Sequence, residues 1–476
     1  MLSLERTYLP RFDSHSHRKV DQKSADCFPE FLAPKPSSIY IDRWMHDSSI
    51  TIQPAKNIAG SVRLPGDKSI SHRYAMLAAI ADGITRLENF STGMDCASTL
   101  QCLRTLGTEW KGDDGPDNVV EIHGRGPMLE KPKLPLDCGN SGSTMRMLSG
   151  IVAGQNFITE LVGDESLSRR PMARIIKPLT TMGAKIVASE GDRPPLRISG
   201  GNLKAVDYRL PVASAQVKSC VLFAGLFAAG ETRVEEPMPT RDHGELALRA
   251  FGAEITKRGN ATSITGGQKL HGIQARVPGD LSSAAFFLCA AGLFPESNLI
   301  IDNLLMNPTR ARLLDILIQM GVRISVTELQ EQHGELVGTV QVRGGELRGT
   351  TIAGVDSAAL VDEIPVLAAV APFSENGLEV RDAKELRVKE SVRIAAVAEN
   401  LRAMGAEVEE REDGLKIPGR QNLHGAEIDS FGDHRIAMAF AVAALRAQGE
   451  TRIVHADAAA ISYPQFFSTL DRLAER

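Results

Sequence analysis

Five times along this chain an apolar helical run ends in a large apolar residue, then glycine, and then a strand-like stretch. The closures are Leu106-Gly107, Met182-Gly183-Ala184, Phe251-Gly252-Ala253, Met320-Gly321-Val322 and Met404-Gly405-Ala406. Glycine suits the left-handed position that ends a helix, and the β-branched residues that follow suit a strand. The successive glycines stand 76, 69, 69 and 84 residues apart. A last helical stretch, Phe466 to Leu473, falls where a sixth closure would lie. Between closures, a polar pair opens an Ala- and Leu-rich helix at Asp67-Lys68-Ser69, Asn140-Ser141, Ser214-Ala215, Asp280-Leu281-Ser282, Asp362-Glu363 and Asp433-His434. Asp, Asn and Ser are the usual N-caps. Six α/β units therefore tile residues 50 to 476. A chance series of amphipathic helices would not share five such closures.

Units of this kind bury their helices against one another. The 476 residues also exceed the roughly 250 to 300 at which a single core stops growing, so two cores of three units each are expected, dividing near Pro278-Gly279. Hydrophobic residues at 43% and charged residues at 24% are enough to fill and solvate them. Residues 1–48 carry scattered acids (Glu5, Asp13, Asp21, Asp26, Glu30), no secretory apolar region and no periodicity, so this extension is expected to be poorly ordered. The longest apolar stretch, Ile436 to Leu445, is helix-sized, and no membrane span is expected. A net charge of −5 argues against a general nucleic-acid binder. The six cysteines show no CxxC pair and no zinc-type spacing to a histidine. They read as reduced cytoplasmic thiols, with no metal site.

The charges at the helix starts are more informative. A helix N-terminus is already positive, so Lys or Arg there is disfavoured by roughly 0.3 to 1 kcal/mol. Yet Lys68 and Arg73 sit in the first opening, Arg146 in the second and Arg435 in the sixth. Any one of these reads as a locally paired side chain. Together they read as a site for anions, which helix N-termini and basic side chains jointly bind. Further basic clusters are Ser168-Arg169-Arg170-Pro171, Thr240-Arg241-Asp242-His243, and Arg387-Val388-Lys389-Glu390 with Arg393. Lys389 and Arg393, spaced i and i+4, are expected on one helical face beside Glu390. There is no GxSxG, HExxH or P-loop motif, and no GxGxxG after a strand. Carboxylates remain as acid and base: Asp362, Glu363 and Glu390. By propensity alone, Asp362 reads as an ordinary N-cap.

Several of these segments together resemble the signatures of 5-enolpyruvylshikimate-3-phosphate synthases. They are Leu64-Pro65-Gly66-Asp67-Lys68-Ser69-Ile70-Ser71-His72-Arg73, Gly139-Asn140-Ser141-Gly142-Ser143-Thr144-Met145-Arg146, Ser214-Ala215-Gln216-Val217-Lys218-Ser219, Arg387-Val388-Lys389-Glu390-Ser391 with Arg393, and Asp433-His434-Arg435-Ile436-Ala437-Met438. The resemblance runs from about residue 50 to the end. It implies a two-domain inside-out α/β fold of six βαβαββ units, three per domain. Residues 49–66 plus 280–476 would form one domain, residues 67–279 the other, and the active site would lie in the cleft between them.

The implied reaction joins the enolpyruvyl group of phosphoenolpyruvate to the 5-hydroxyl of shikimate 3-phosphate, without metal or cofactor, in a cytoplasmic monomer. By resemblance, Lys68, Ser69, Arg73, Ser214, Ala215, Gln216, Asp362 and Lys389 look like shikimate 3-phosphate ligands. Lys68, Gly142, Arg170, Gln216, Arg393 and Arg435 look like the phosphoenolpyruvate site, which in this family is also that of the herbicide glyphosate. Asp362 would accept the hydroxyl proton, Glu390 would supply or relay the proton added to the methylene, and Lys68 would stabilise developing charge.

Two positions depart from the better-known pattern: Glu385 stands where many members have Asn, and Ile461 where many have Lys. Arg241-Asp242-His243-Gly244-Glu245 and Asn307-Pro308-Thr309-Arg310 resemble the family's second class, making Arg241 a further phosphate ligand. The alternatives are the sister enzyme acting on UDP-N-acetylglucosamine, whose loop cysteine has no counterpart in Leu167-Ser168-Arg169-Arg170-Pro171, and a non-catalytic binder of phosphorylated metabolites.

Overall fold

Among the described residues, six helices that are apolar on nearly every side form the core: Lys68–Ala79 (α1), Gly142–Ala153 (α2), Ala215–Gly225 (α3), Leu281–Gly292 (α4), Ile364–Val370 (α5) and His434–Ala444 (α6). Every residue of α4, α5 and α6 is buried, and all but two of the twelve in α1. A helix apolar all round has to sit inside a core. Accordingly α1, α2 and α3 pack together, as do α4, α5 and α6. Each buried Leu, Ile or Phe they contribute stabilises the fold by about 1.5 to 3 kcal/mol.

The computed structural model describes residues 48–476 apart from 114 and 116. The expectation of poor order for residues 1–48 thus falls outside the described residues, save for Ser48, whose carbonyl accepts from the Ala456 amide at 3.0 Å.

Among the described residues, six sheets and six one-faced helices lie around the inner helices. In Phe466–Leu473, for example, Phe466, Thr469, Leu470 and Leu473 are buried, the i, i+3, i+4, i+7 stripe of a helix on a core surface. The other five outer helices are each followed by a glycine closure, with φ between 85° at Gly405 and 109° at Gly183, a region that favours glycine.

The sheets repeat one plan. In the second unit, strand Leu136–Asp137 runs parallel to Ile158–Val162, which pairs antiparallel with Arg193–Ser199 and that in turn with Lys185–Ser189. Three sheets are built wholly from residues 84–276 and three from residues 49–63 and 298–475. The chain crosses between these groups at Gly66 and Gly279, which form an antiparallel bridge. There Asp67 N donates to Pro278 O at 2.7 Å and Asp280 N to Pro65 O at 3.0 Å. A Cβ at Gly66 would stand 1.9 Å from the Asn89 carbonyl oxygen and 2.8 Å from Val277 Cγ1, so the first crossing has no room for a side chain there.

Candidate active site

The N-termini of all six inner helices open onto one cleft of about 620 Å³. Its walls include Lys68 and Ser69 of α1, Gly142 and Arg146 of α2, and Ala215 and Gln216 of α3. Facing them are Asp280 and Ser282 at α4, Asp362 just before α5, and His434 and Arg435 of α6. Six positive helix ends and their cations share this space, which is strongly biased toward anions. The caps were legible in the sequence: Asp67, Ser141, Ser214, Asp280 and Asp433 each accept a backbone N–H of their own helix.

The fifth opening differs. Glu363, not Asp362, occupies the cap position of α5, and its side chain makes no capping bond. The Asp362 carboxylate turns into the cleft instead. Arg241 Nη2 donates to its Oδ2 at 2.8 Å, Arg393 Nη1 stands 3.6 Å away, Arg435 Nη2 3.8 Å and Lys389 Nζ 4.0 Å. Arg435 Nη1 also donates to the Asp362 carbonyl at 2.7 Å. Burial opposes the Asp362 charge, but Arg435, Arg241, Lys389 and Arg393 together outweigh it and hold the carboxyl well below its usual range. A residue read by propensity as a cap is in fact the centre of a ring of cations.

Lys389 and Arg393 are not stacked on one helical face. A 3₁₀ turn, Lys384–Val388, ends before Lys389, and the next helix begins only at Arg393. At the first position of that helix Arg393 reaches the distant Asp433, with Nε 2.8 Å from Oδ2, while its Nη2 lies 2.6 Å from Glu390 Oε2. Glu390 also faces Arg170 Nη1 at 3.3 Å. Burial again opposes its charge, and Arg393 and Arg170 overcome it, leaving the carboxyl well below its ordinary value. Arg170 is steadied by Asn140 Oδ1 at 2.9 Å and Ser166 Oγ at 3.0 Å.

Lys68 Nζ donates to Asp95 Oδ2 at 2.9 Å. Burial works against the Lys68 cation, but Asp95 more than offsets it and the pKa is raised. Asp95 opens the helix Met94–Thr105 and lines the cleft, yet nothing in its sequence surroundings marked it. Gln216 is locked between Arg146 Nη1, which donates to its Oε1 at 2.8 Å, and Ser143 Oγ, which accepts from its Nε2 at 2.8 Å.

The structure brings Lys68, Ser69, Gly142, Arg170, Ser214, Ala215, Gln216, Arg241, Asp362, Lys389, Glu390, Arg393 and Arg435 to the cleft. Arg73 is not among its lining residues. It is buried one layer back, bonding Ser219 Oγ at 3.0 Å and the Ser69 carbonyl at 2.8 Å, and so ties α1 to α3. Glu385 meets Arg174 across the mouth at 3.3 Å. Ile461 does not line the cleft.

Among the described residues no group of three or more His, Cys, Asp or Glu side chains is placed to hold a metal ion. No described helix is long and apolar enough to cross a membrane.

Six βαβαββ units around a cleft walled by helix N-termini make this an enolpyruvyl transferase fold. The enolpyruvyl transferase NikO of Streptomyces tendae shares it at a TM-score of 0.72 and 20% identity, over 90% of this chain and 98% of that one. The chain belongs to the EPSP synthase (3-phosphoshikimate 1-carboxyvinyltransferase) family, whose model matches residues 52–470. It is 61% identical to the 3-phosphoshikimate 1-carboxyvinyltransferase of Koribacter versatilis over 428 residues, 90% of this chain and 100% of that protein. It is 58% identical to that of Solibacter usitatus over 425 residues, 89% and 99% of the two chains. The solved EPSP synthase of Acinetobacter baumannii superposes with a TM-score of 0.80 at 42% identity, over 90% and 98% of the two chains.

Proposed function

We propose that the cleft performs the family reaction, transfer of the carboxyvinyl group of phosphoenolpyruvate to the 5-hydroxyl of shikimate 3-phosphate, with each residue in a stated role. The observation that carries the reading is the pair of carboxylates, Asp362 and Glu390, each embedded among cations that two phosphates and two carboxylates would otherwise have to bring from solution. Shikimate 3-phosphate would occupy Ser69, Ser214, Ala215, Gln216, Arg241 and Lys389. Phosphoenolpyruvate would lie against Lys68, Gly142, Arg170, Arg393 and Arg435, where guanidinium groups suit bidentate capture of phosphate and carboxylate. Arg73 supports the first site from behind, through Ser219 and the Ala215 carbonyl, 3.4 Å from its Nη2.

In the chemical step Asp362 takes the proton of the 5-hydroxyl as that oxygen bonds to C2 of phosphoenolpyruvate, and a proton from Glu390 converts the methylene to a methyl. The tetrahedral adduct then returns a methyl proton to the Glu390 carboxylate as its C–O bond to phosphate breaks, so the double bond is regenerated and phosphate leaves with the bonding electrons. With its carboxyl held so low, Asp362 is a weak base until anionic substrates engage Arg241, Lys389, Arg393 and Arg435. Binding itself then raises its basicity. The same holds for Glu390, which gains proton affinity as phosphoenolpyruvate draws Arg170 and Arg393 away. Lys68 and the arginines stabilise charge on the departing phosphate in a site from which water is excluded.

Residues 49–66 with 280–476 and residues 67–279 would act as two domains closing on the substrates, in a cytoplasmic monomer. The free state of the five described cysteines suits a reducing compartment.

Phosphate release from phosphoenolpyruvate tests the reading. It is expected only when shikimate 3-phosphate is added and not with UDP-N-acetylglucosamine; release with the nucleotide sugar instead would overturn the choice of acceptor.

A further inference from the structure

The two segments that resemble the second class of the family meet in the structure through Asp242, His243 and Asn307, which do not line the cleft. Asn307 Nδ2 donates to Asp242 Oδ1 at 2.9 Å and to Glu335 Oε2 at 2.7 Å. The other Glu335 oxygen accepts from His243 Nδ1 at 2.6 Å. Asn307 Oδ1 faces the other way and accepts from the Thr309 amide at 2.8 Å and its hydroxyl at 2.7 Å, which fixes the orientation of the amide. His243, Glu335 and Asn307 are 1%, 2% and 2% exposed. None of the three lines the cleft.

A carboxylate buried this deeply is tolerated only when its hydrogen bonds are met, and each of the two Glu335 oxygens has one donor. The partners come from distant parts of the chain. Glu335 begins the strand Glu335–Arg343, and His243 begins the helix His243–Ala250. Just before that helix, residues 236–242 have neither helix nor strand, and Arg241 reaches out of this loop to Asp362. From an untethered loop, a guanidinium would give up backbone and side-chain freedom on reaching that position. The clamp fixes the two residues that follow Arg241.

We propose that Glu335, with Asn307, is a positioning residue: it holds Asp242 and His243 so that Arg241 stands beside Asp362, ready for the phosphate of shikimate 3-phosphate. Glu335 touches no substrate and acts through Arg241. The inference rests on the functional reading above, and deepens it by giving both second-class segments one task.

The test is a double-mutant cycle on the full chain, with shikimate 3-phosphate affinity measured by calorimetry and turnover measured alongside. Wild-type turnover reports on the functional reading, and the coupling between variants reports on the clamp. Arg241→Ala is expected to weaken shikimate 3-phosphate binding by about tenfold and Glu335→Ala by several-fold, with the KM for phosphoenolpyruvate at saturating acceptor little changed. Glu335→Gln should stay within about twofold of wild type, because its amide can accept from Asn307 and donate to the other tautomer of His243. The double variant Arg241→Ala/Glu335→Ala should bind no more weakly than Arg241→Ala alone. Effects that multiply, or a Glu335→Ala variant with unchanged shikimate 3-phosphate affinity, overturn the proposal. If Glu335→Ala folds poorly, Asn307→Ser removes the donor to both carboxylates while keeping an acceptor for Thr309, and the same non-additivity is required of it.

Discussion

Arg435 grips Asp362 at two points: Nη1 donates to its backbone carbonyl at 2.7 Å, and Nη2 lies 3.8 Å from its carboxylate. The backbone contact fixes where the carboxylate stands, independently of its charge. Asp362→Asn should therefore keep its position, retain both substrates and lose turnover by at least about 100-fold, the usual scale for losing a general base. With one negative charge removed from the ring of cations, the KM for shikimate 3-phosphate should stay level or fall. Steady-state kinetics with both substrates varied are the check. A kcat within about tenfold of wild type would show that another group takes the proton.

Lys218 belongs to the Ser214–Ser219 motif but does not face the cleft. Its ammonium lies 2.7 Å from Glu236 and 2.8 Å from Glu245, with all three side chains at most 5% exposed. Removing the cation leaves two buried carboxylates unmatched, and breaking such a pair typically costs about 3 to 5 kcal/mol. Lys218→Met, similar in volume, should lower the urea midpoint accordingly. Unchanged stability would mean that the hydroxyls of Thr240 and Thr262, which donate to Glu236 and Glu245, suffice for these carboxylates.

Acid should weaken the fold before its carboxylates titrate. His72 is buried, with Nδ1 2.7 Å from Thr99 Oγ1 and no partner for Nε2 among the described residues. Burial, with Lys68 and Arg73 nearby, pushes its pKa well below the ordinary value. Burial and Lys68 likewise push His434 down to about 3. Below the unfolded histidine value of about 6.5, the unfolded chain binds protons that the native state refuses, so stability falls as pH drops. The slope should approach about 1.4 kcal/mol per pH unit for each histidine. Urea unfolding between pH 7 and 5 should show it, and His72→Gln should remove one proton from the slope. An equal slope in that variant would contradict a neutral His72.

The fold was legible because its repeat is written in local chemistry. Five of the six helix openings carry a side-chain cap, and each of the five closures carries a glycine whose φ no other residue adopts readily. What escaped were contacts made at a distance in sequence. Asp95 acquires meaning only when Met94–Thr105 is laid against α1, which brings it to Lys68. Glu335 is one acid in the polar run Gln332-His333-Gly334-Glu335 until the strand it opens meets His243. Arg73 carries the basic signature of a ligand, and its bond to Ser219, far along the chain, is one that no local pattern shows. The i, i+4 spacing of Lys389 and Arg393 suggested a helix. The helix begins about one turn later, at Arg393, whose bond to Asp433 no local pattern encodes.

Gly142 is where the candidate site leaves least room. A Cβ there would stand 2.8 Å from Arg146 Nη1 and 3.5 Å from Arg170 Nη1, the first of which is too close for the present geometry. Arg146 would have to shift, and it is the residue that holds the Gln216 amide. Gly142→Ala should thus have two effects. The methyl narrows the pocket proposed for phosphoenolpyruvate, which excludes the longer glyphosate more than the substrate. The displaced Arg146 loosens Gln216, which weakens both substrates modestly, by roughly the 1 to 3 kcal/mol typical of overpacking at most. We expect the wild type to be glyphosate-sensitive and the variant resistant, with the inhibition constant rising more than the KM for phosphoenolpyruvate. The ratio of the two, measured in both forms at saturating shikimate 3-phosphate, decides. An unchanged ratio would remove Gly142 from the pocket wall. A raised ratio restored to its wild-type value by Arg146→Lys in the Gly142→Ala background would assign the effect to the displaced guanidinium and not to the methyl itself.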